Sequence, residues 1–336
     1  MKKLFLAAFL TLLVVTTSNL SAYCGQRENI LRWALRTPAK SIENYDFDPK
    51  SSIISRIKNA PGFMIAYLNA MDNVTCYTAY KPNSDELKLI GKYIDQLPNS
   101  FKTALRGHLL GIYFVNNFKG GGISDWVLGL DRERHYIMVL NVDTLRTTAD
   151  KWLTHKDNSC FIQNDPSIRV EVDCGKGLPE FAEIIMHEAA HIADYVIGYT
   201  PYVEGQLKIL DGARPDRIQF TEGIWKDYLQ PKSKYDFRER ENLYFYGISP
   251  AAINNKHAER VYRGLSKTPF VALYGSKNWA DDFACLFTFY YITQILKRPY
   301  EYRVYKDNKL VFSWSPAESE LVSRRFPLIR EIFNTN

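Results

Sequence analysis

Two of the chain's six histidines, His187 and His191, stand four residues apart in the segment FAEIIMHEAAHIADYVIG, residues 181–198. On a helix that spacing puts both imidazoles on one face, where they can grip one metal ion. Glu188 directly follows the first histidine, so it can reach a water on that metal without being a ligand itself. The chemistry predicted is hydrolysis by a metal-activated water, with one zinc ion as cofactor.

The helix that must carry these groups is encoded in the same segment. Pro179 suits a first helical position, Glu180 and Glu183 put negative charge in the first turn, and Gly198 suits a left-handed stop. Phe181, Ile184, Ile185, Ile192 and Val196 recur at helical spacing, which predicts a packed and therefore rigid element.

A catalytic zinc takes three protein ligands and leaves one position for water. After His191 the candidates are Asp281 and Asp282, adjacent acids at the start of the apolar stretch WADDFACLF, residues 279–287. Acids are favoured in a first helical turn, which accounts for one of them without a metal. Asp281 would share a face with Ala284 and Cys285 while Asp282 points elsewhere, so one would bind metal and the other cap or pair. Asp194, three residues past His191, would either orient a ligand histidine or pair along the helix.

The two motifs together, His187-Glu188-x-x-His191 with Asp194, and Tyr274-Gly275-x-x-Asn278-x-Ala280-Asp281-x-Phe283-Ala284-x-x-Phe287, resemble those of a family. It is the gluzincin metallopeptidases, and within them the catalytic domain of anthrax lethal factor and its relatives. The resemblance covers residues 105–295 loosely and implies a zincin-like fold. It implies Asp281 as the third zinc ligand, where the family carries glutamate, and Tyr274 as a phenol that stabilises the tetrahedral intermediate. Aspartate is shorter by one methylene, so either its helix sits closer to the metal or binding is weaker. Cys285 stands where relatives often carry another acid. His257 is an alternative oxyanion donor, or simply an exposed histidine.

With 46% hydrophobic and 24% charged residues the chain reads as an ordinary globular protein with ample core. Residues 1–22, MKKLFLAAFLTLLVVTTSNLSA, have the layout of a secretory signal peptide, and their apolar run is too short to span a bilayer comfortably. Loss of Lys2 and Lys3 with that segment lowers the net charge from +6 to +4, and the basic residues are scattered, so nucleic acid is not implied. Export, to the periplasm or beyond, puts the five cysteines in oxidising conditions. Cys160 with Cys174 is the expected bridge, Cys24 with Cys76 the next, and Cys285 a buried thiol.

The fold class expected is α+β: a zincin-like fold with a small mixed sheet and an active-site helix, preceded by a helical amino-terminal part. The division is residues 1–22 as signal peptide, 23–105 as the helical region and 106–336 as the catalytic domain. Pro61 would open a helix, and Asn83 with Glu86 forms a capping box for another. Residues 111–143 read as strands, with Gly120, Gly121 and Gly122 as a hairpin tip. An edge strand beside the metal would hold an extended peptide by main-chain hydrogen bonds. Residues 147–155 predict a short helix and SIRVEV, residues 167–172, a strand. Residues 199–246 form a weakly patterned excursion beside the cleft. Ser249-Pro250 opens a helix to Gly264, a hairpin follows residue 300, and Ser315 with Glu318 caps a terminal helix kinked near Pro327.

The function expected is that of a secreted or periplasmic zinc-dependent endopeptidase, with a protein or peptide substrate and no stable membrane insertion. A zincin-fold envelope or binding protein without turnover, or a zinc hydrolase of a non-peptide amide, are the alternatives.

Overall fold

The computed structural model describes residues 25–247 and 250–334. The expected signal segment and Cys24 lie outside them. The amino-terminal part begins with α1, helical over residues 25–36, followed by a 3-10 turn at Pro38–Lys40. Next come β1 (Ile57–Lys58), α2 (Gly62–Asp72), β2 (Thr78–Tyr80), α3 (Ser84–Asp95) and α4 (Asn99–His108). Both halves of the expected capping box are formed. The Asn83 side chain accepts from the Glu86 amide, and Glu86 accepts from the Asn83 amide.

The central sheet is completed by β3 (Leu109–Asn116), β4 (Gly122–Leu128) and β5 (Arg134–Asn141). Its order is β1-β3-β5-β4, with β2 also on β3, so part of the expected helical region belongs to this sheet. β3 runs parallel to β5, and β4 runs antiparallel to β5 at the sheet's edge. The expected hairpin at Gly120–Gly122 is therefore corrected: β5 lies between β3 and β4, so the glycines join strands that do not pair.

Period-two alternation splits β3 and β5 between two cores. Ile112, Phe114, Tyr136, Met138 and Leu140 face the main core, whereas Tyr113, Val115, Ile137 and Val139 face a smaller one under α2. Burial on both faces explains why these strands read as nearly unbroken apolar runs.

α5 (Ala149–Asn158) leads to β6 (Phe161–Ile162) and β7 (Ile168–Asp173), then to α6 (Glu180–Ile197), the expected histidine-bearing helix. The expected Cys160–Cys174 bridge is not formed, and both thiols are free and buried. β7 lies antiparallel along α5, with Thr154 bonded to Val172 and Asn158 to Val170, so the two cysteines sit at opposite ends of the helix. Ten residues of helix span about 15 Å, far beyond disulfide reach. Cys285 is buried as expected.

Residues 199–246 wrap past the site with only α7 (Gln206–Asp211) and two 3-10 turns. β8 (Ile253–Asn254) pairs with β6, and α8 (Ala258–Leu265) starts well after Pro250, later than the sequence suggested. α9 (Trp279–Tyr290) carries the paired aspartates and runs into a π turn at Tyr291–Ile295. β9 (Glu301–Lys306) and β10 (Lys309–Trp314) make the expected hairpin, which joins β7 in a second sheet. α10 (Glu320–Ser323) and α11 (Phe326–Asn334) follow. Ser315 makes no side-chain cap, so the capping box expected there is absent. The class is α+β, and no helix among the described residues is long and apolar enough to cross a membrane.

Candidate metal centre

α6 is buried along nearly its whole length, from Glu180 to Asp194, against α4, α5, α9 and β4. Pro179 is its N-cap and Gly198, at φ 82°, ends it in the left-handed region that favours glycine. Two glycines let the edge strand approach the helix. A Cβ at Gly121 would collide with Ile184 Cδ1, and one at Gly122 would lie 2.7 Å from Leu140 Cδ2 and 3.2 Å from Glu188 Cγ.

His187 and His191 point their Nε2 atoms at one place, 3.2 Å apart. Asp281 Oδ1, brought by α9, lies 3.4 Å from His191 Nε2 and 3.8 Å from His187 Nε2. Donors bound at 2.0–2.1 Å to one tetrahedral zinc would stand about 3.3 Å apart. The three side chains thus already have nearly the spacing of a zinc ligand set. Three lone-pair-bearing atoms at such distances repel unless a proton or cation lies between them. His191 shows this: burial opposes its charge, but hydrogen bonding and charge from Asp281, with Glu188 and Asp194 behind, raise its pKa overall. Burial alone would raise the Asp281 carboxyl, yet the two imidazoles hold it far below the usual carboxylate range.

Asn278 fixes that carboxylate. As N-cap of α9 its Oδ1 accepts from the Asp281 amide at 2.9 Å, while its Nδ2 donates to Asp281 Oδ2 at 2.6 Å. The second carboxylate oxygen is thereby occupied and Oδ1 is left for the histidines. Asp282 points away into the core, where it is fully buried. It accepts from Arg325 at 2.9 and 2.7 Å and from Trp225 Nε1 at 2.8 Å. Of the two adjacent acids, Asp281 joins the histidines and Asp282 is the pairing one.

Glu188 is 5% exposed and one of its oxygens, Oε2, accepts from Ser124 Oγ at 2.8 Å. Ser124 belongs to β4, so the edge strand holds the carboxylate in place. Gly122, Ile123 and Ser124 line one side of a cleft of about 270 Å³, and Tyr228, Tyr274, Asn278 and Ala280 contribute to its other walls. The floor is His187, Glu188, His191 and Tyr195. The Tyr274 ring centroid is 6.1 Å from that of His187. The nearby Asp281 charge, then burial, push the Tyr274 hydroxyl well above its ordinary pKa, so it stays a phenol able to donate. Gly275 permits this turn, because a Cβ there would lie 3.1 Å from Cys285 Cβ. Below the ring, buried Lys156 stands 3.5 Å from Glu183 and 5.6 Å from the Tyr274 centroid.

Asp194 does not orient a ligand histidine. Its two oxygens accept from the Thr200 amide at 2.7 Å and the Thr200 hydroxyl at 2.6 Å, closing the turn after α6. Neither His187 Nδ1 nor His191 Nδ1 has a partner among the described residues. His257, at the start of α8, lines a separate groove with Arg238, Glu239 and Arg260 and does not reach the cleft.

Ser124, Tyr195 and Tyr228 are the site residues that sequence reasoning passed over. Ser124 had a signal, as the polar member of the face Gly122, Ser124, Trp126, Leu128. Tyr195 had another, one turn past His191, where its ring stacks at 6.1 Å on the His191 imidazole. Tyr228 had none, since it arrives from the irregular excursion. Larger hollows of about 410 and 520 Å³ lie around Ser100 and Ile197, but hold no grouping of three metal-ligating side chains among the described residues. A second grouping, Asp131, Glu133 and His135, sits in the β4–β5 turn, where both acids are exposed and Asp131 Oδ1 accepts from the Glu133 amide. Comparison of the chain with protein-family models, curated proteins and solved structures gave no match.

Proposed function

We propose that the chain is a zinc-dependent endopeptidase of zincin type, working outside the cytoplasm. The observation that carries this reading is the convergence of His187 Nε2, His191 Nε2 and Asp281 Oδ1 at 3.2 to 3.8 Å beside a buried glutamate that is not one of the three. Zinc suits two imidazoles and a carboxylate, and supplies Lewis acidity and a water of lowered pKa. Glu188, steadied by Ser124, takes a proton from the attacking water and delivers it to the leaving amine. Tyr274 donates to the oxyanion as the carbonyl becomes tetrahedral. Gly122 and Ser124, on an edge strand, pair with the main chain of an extended substrate.

The reading is tested by mixing the metal-loaded protein with an unfolded protein substrate and sequencing the new termini by mass spectrometry. Cleavage lost on chelation, restored by zinc and absent in a Glu188→Gln variant that still holds one equivalent of zinc is the expected result. Zinc-loaded wild type that cuts no peptide bond, or Glu188→Gln that cuts normally, overturns it.

A further inference from the structure

β4 is the strand a substrate would join, and its free edge is short. The Gly121 carbonyl accepts from the Asn141 amide on the β5 side, so odd-numbered residues of β4 direct their main chain inward and even-numbered ones outward. The outward set is Gly122, Ser124, Trp126 and Leu128. The last two are already engaged. Residues 38–41 form a strap along that end of the strand, with Ser41 bridged in parallel to Leu128 and Lys40 Nζ donating to the Trp126 carbonyl at 3.1 Å.

Lys40 is built to stay there. The residue is 1% exposed, its ammonium pairs with Asp125, and it lies 4.6, 5.2 and 5.9 Å from the ring centroids of Trp126, Tyr67 and Trp33. Tyr67 also donates to the other Asp125 oxygen at 3.1 Å, and Tyr45 donates to the Ala39 carbonyl at 2.9 Å. A cation enclosed by three rings and a carboxylate is a strong anchor, because each contact gains from exclusion of water.

From these contacts we infer that the Lys40 strap is a specificity element that sets how far a bound peptide can extend along β4. This rests on the peptidase reading above. Glu188 is bonded to Ser124, so the reacting carbonyl lies abreast of that residue, and from Ser124 to Trp126 the strand runs only about 7 Å. An added strand meets Lys40 within about three residues of the scissile bond on one side, and residues beyond that gain no hydrogen bond from the sheet. An antiparallel peptide presents its amino-terminal side to the strap, a parallel one its carboxyl-terminal side.

The test is two series of peptides sharing one scissile bond, lengthened residue by residue at either end, with kcat/KM measured on the zinc-loaded full chain. At the strap end, kcat/KM is expected to rise by about fivefold for each hydrogen bond gained and to level off by the third residue. In a Lys40→Met/Asp125→Asn variant, which removes both charges together, the rise is expected to continue past that point. A rate that keeps climbing at both ends of the wild-type series, or a plateau unmoved in a folded variant, overturns the strap's role. The wild-type series decides the matter by itself if the variant does not fold. Absence of cleavage in every series would instead refute the peptidase reading, so the two failures are distinct.

Discussion

Replacing Asn278 separates two jobs that one side chain performs. Its Oδ1 caps α9, and its Nδ2 binds the outer oxygen of Asp281 at 2.6 Å. Asn278→Ala removes both, whereas Asn278→Ser keeps an acceptor for the cap and loses the amide donor. Loss of the cap should lower metal-free stability by about 1 kcal/mol. Loss of the donor lets the carboxylate turn, and such outer contacts typically hold 10–100-fold of metal affinity. With zinc at a hundred times the wild-type Kd, wild type gains about 2.7 kcal/mol from the metal. A tenfold weaker variant gains about 1.4 kcal/mol under the same conditions and a hundredfold weaker one about 0.4. Urea unfolding with and without zinc, beside zinc competition against a chromophoric chelator, gives both quantities. Asn278→Ala is expected to lose on both counts and Asn278→Ser mainly on the second. A zinc-dependent gain equal to wild type in both variants would refute Asp281 as a carboxylate held for metal by Asn278.

Two further perturbations probe the supports of the site. Burial, then the neighbouring Glu183 and Asp143 charges, push the Glu180 carboxyl up to about 8. The unfolded chain ionises this group from about pH 4.5 while the folded one keeps its proton, so stability falls as pH rises through that window and levels off above about 8. Glu180→Gln should therefore match wild type near pH 4 and exceed it by a few kcal/mol, in order of magnitude, at pH 8.5; a difference independent of pH in urea midpoints would contradict this. Arg325→Met strands the Asp282 carboxylate in the core and should cost about 3–5 kcal/mol in urea unfolding, much of it recovered on adding Asp282→Asn. A loss under about 1 kcal/mol would mean that water or another cation reaches Asp282.

Legibility followed the range of the interactions. α6 could be read because its period, first-turn acids and terminal Gly198 are local, and the capping box at Asn83 and Glu86 spans only one turn. The choice between Asp281 and Asp282 could only be narrowed, because it depends on Arg325 and Trp225, far off in sequence, drawing one acid into the core. Ser124 holds Glu188 from 64 positions away, which no window on the sequence reveals. The failed Cys160–Cys174 bridge and the misread glycine turn share one cause. Nearness along the chain is not nearness in space there, because a helix beside β7 and a strand between β3 and β4 keep those residues apart.

The Asp282–Arg325 pair also bears on the proposed metal centre. Arg325 lies far along the chain from both imidazoles, and α9 packs its Phe287 ring on Phe333 of α11 at 4.9 Å. Without Arg325 and α11, α9 would carry Asp282 without its counter-ion and lack part of the surface it rests on. Asp281 rides on that helix, so the third of the proposed donors depends on contacts made far from the histidines. The proposed metal centre therefore depends on the seating of α9 against Arg325 and α11.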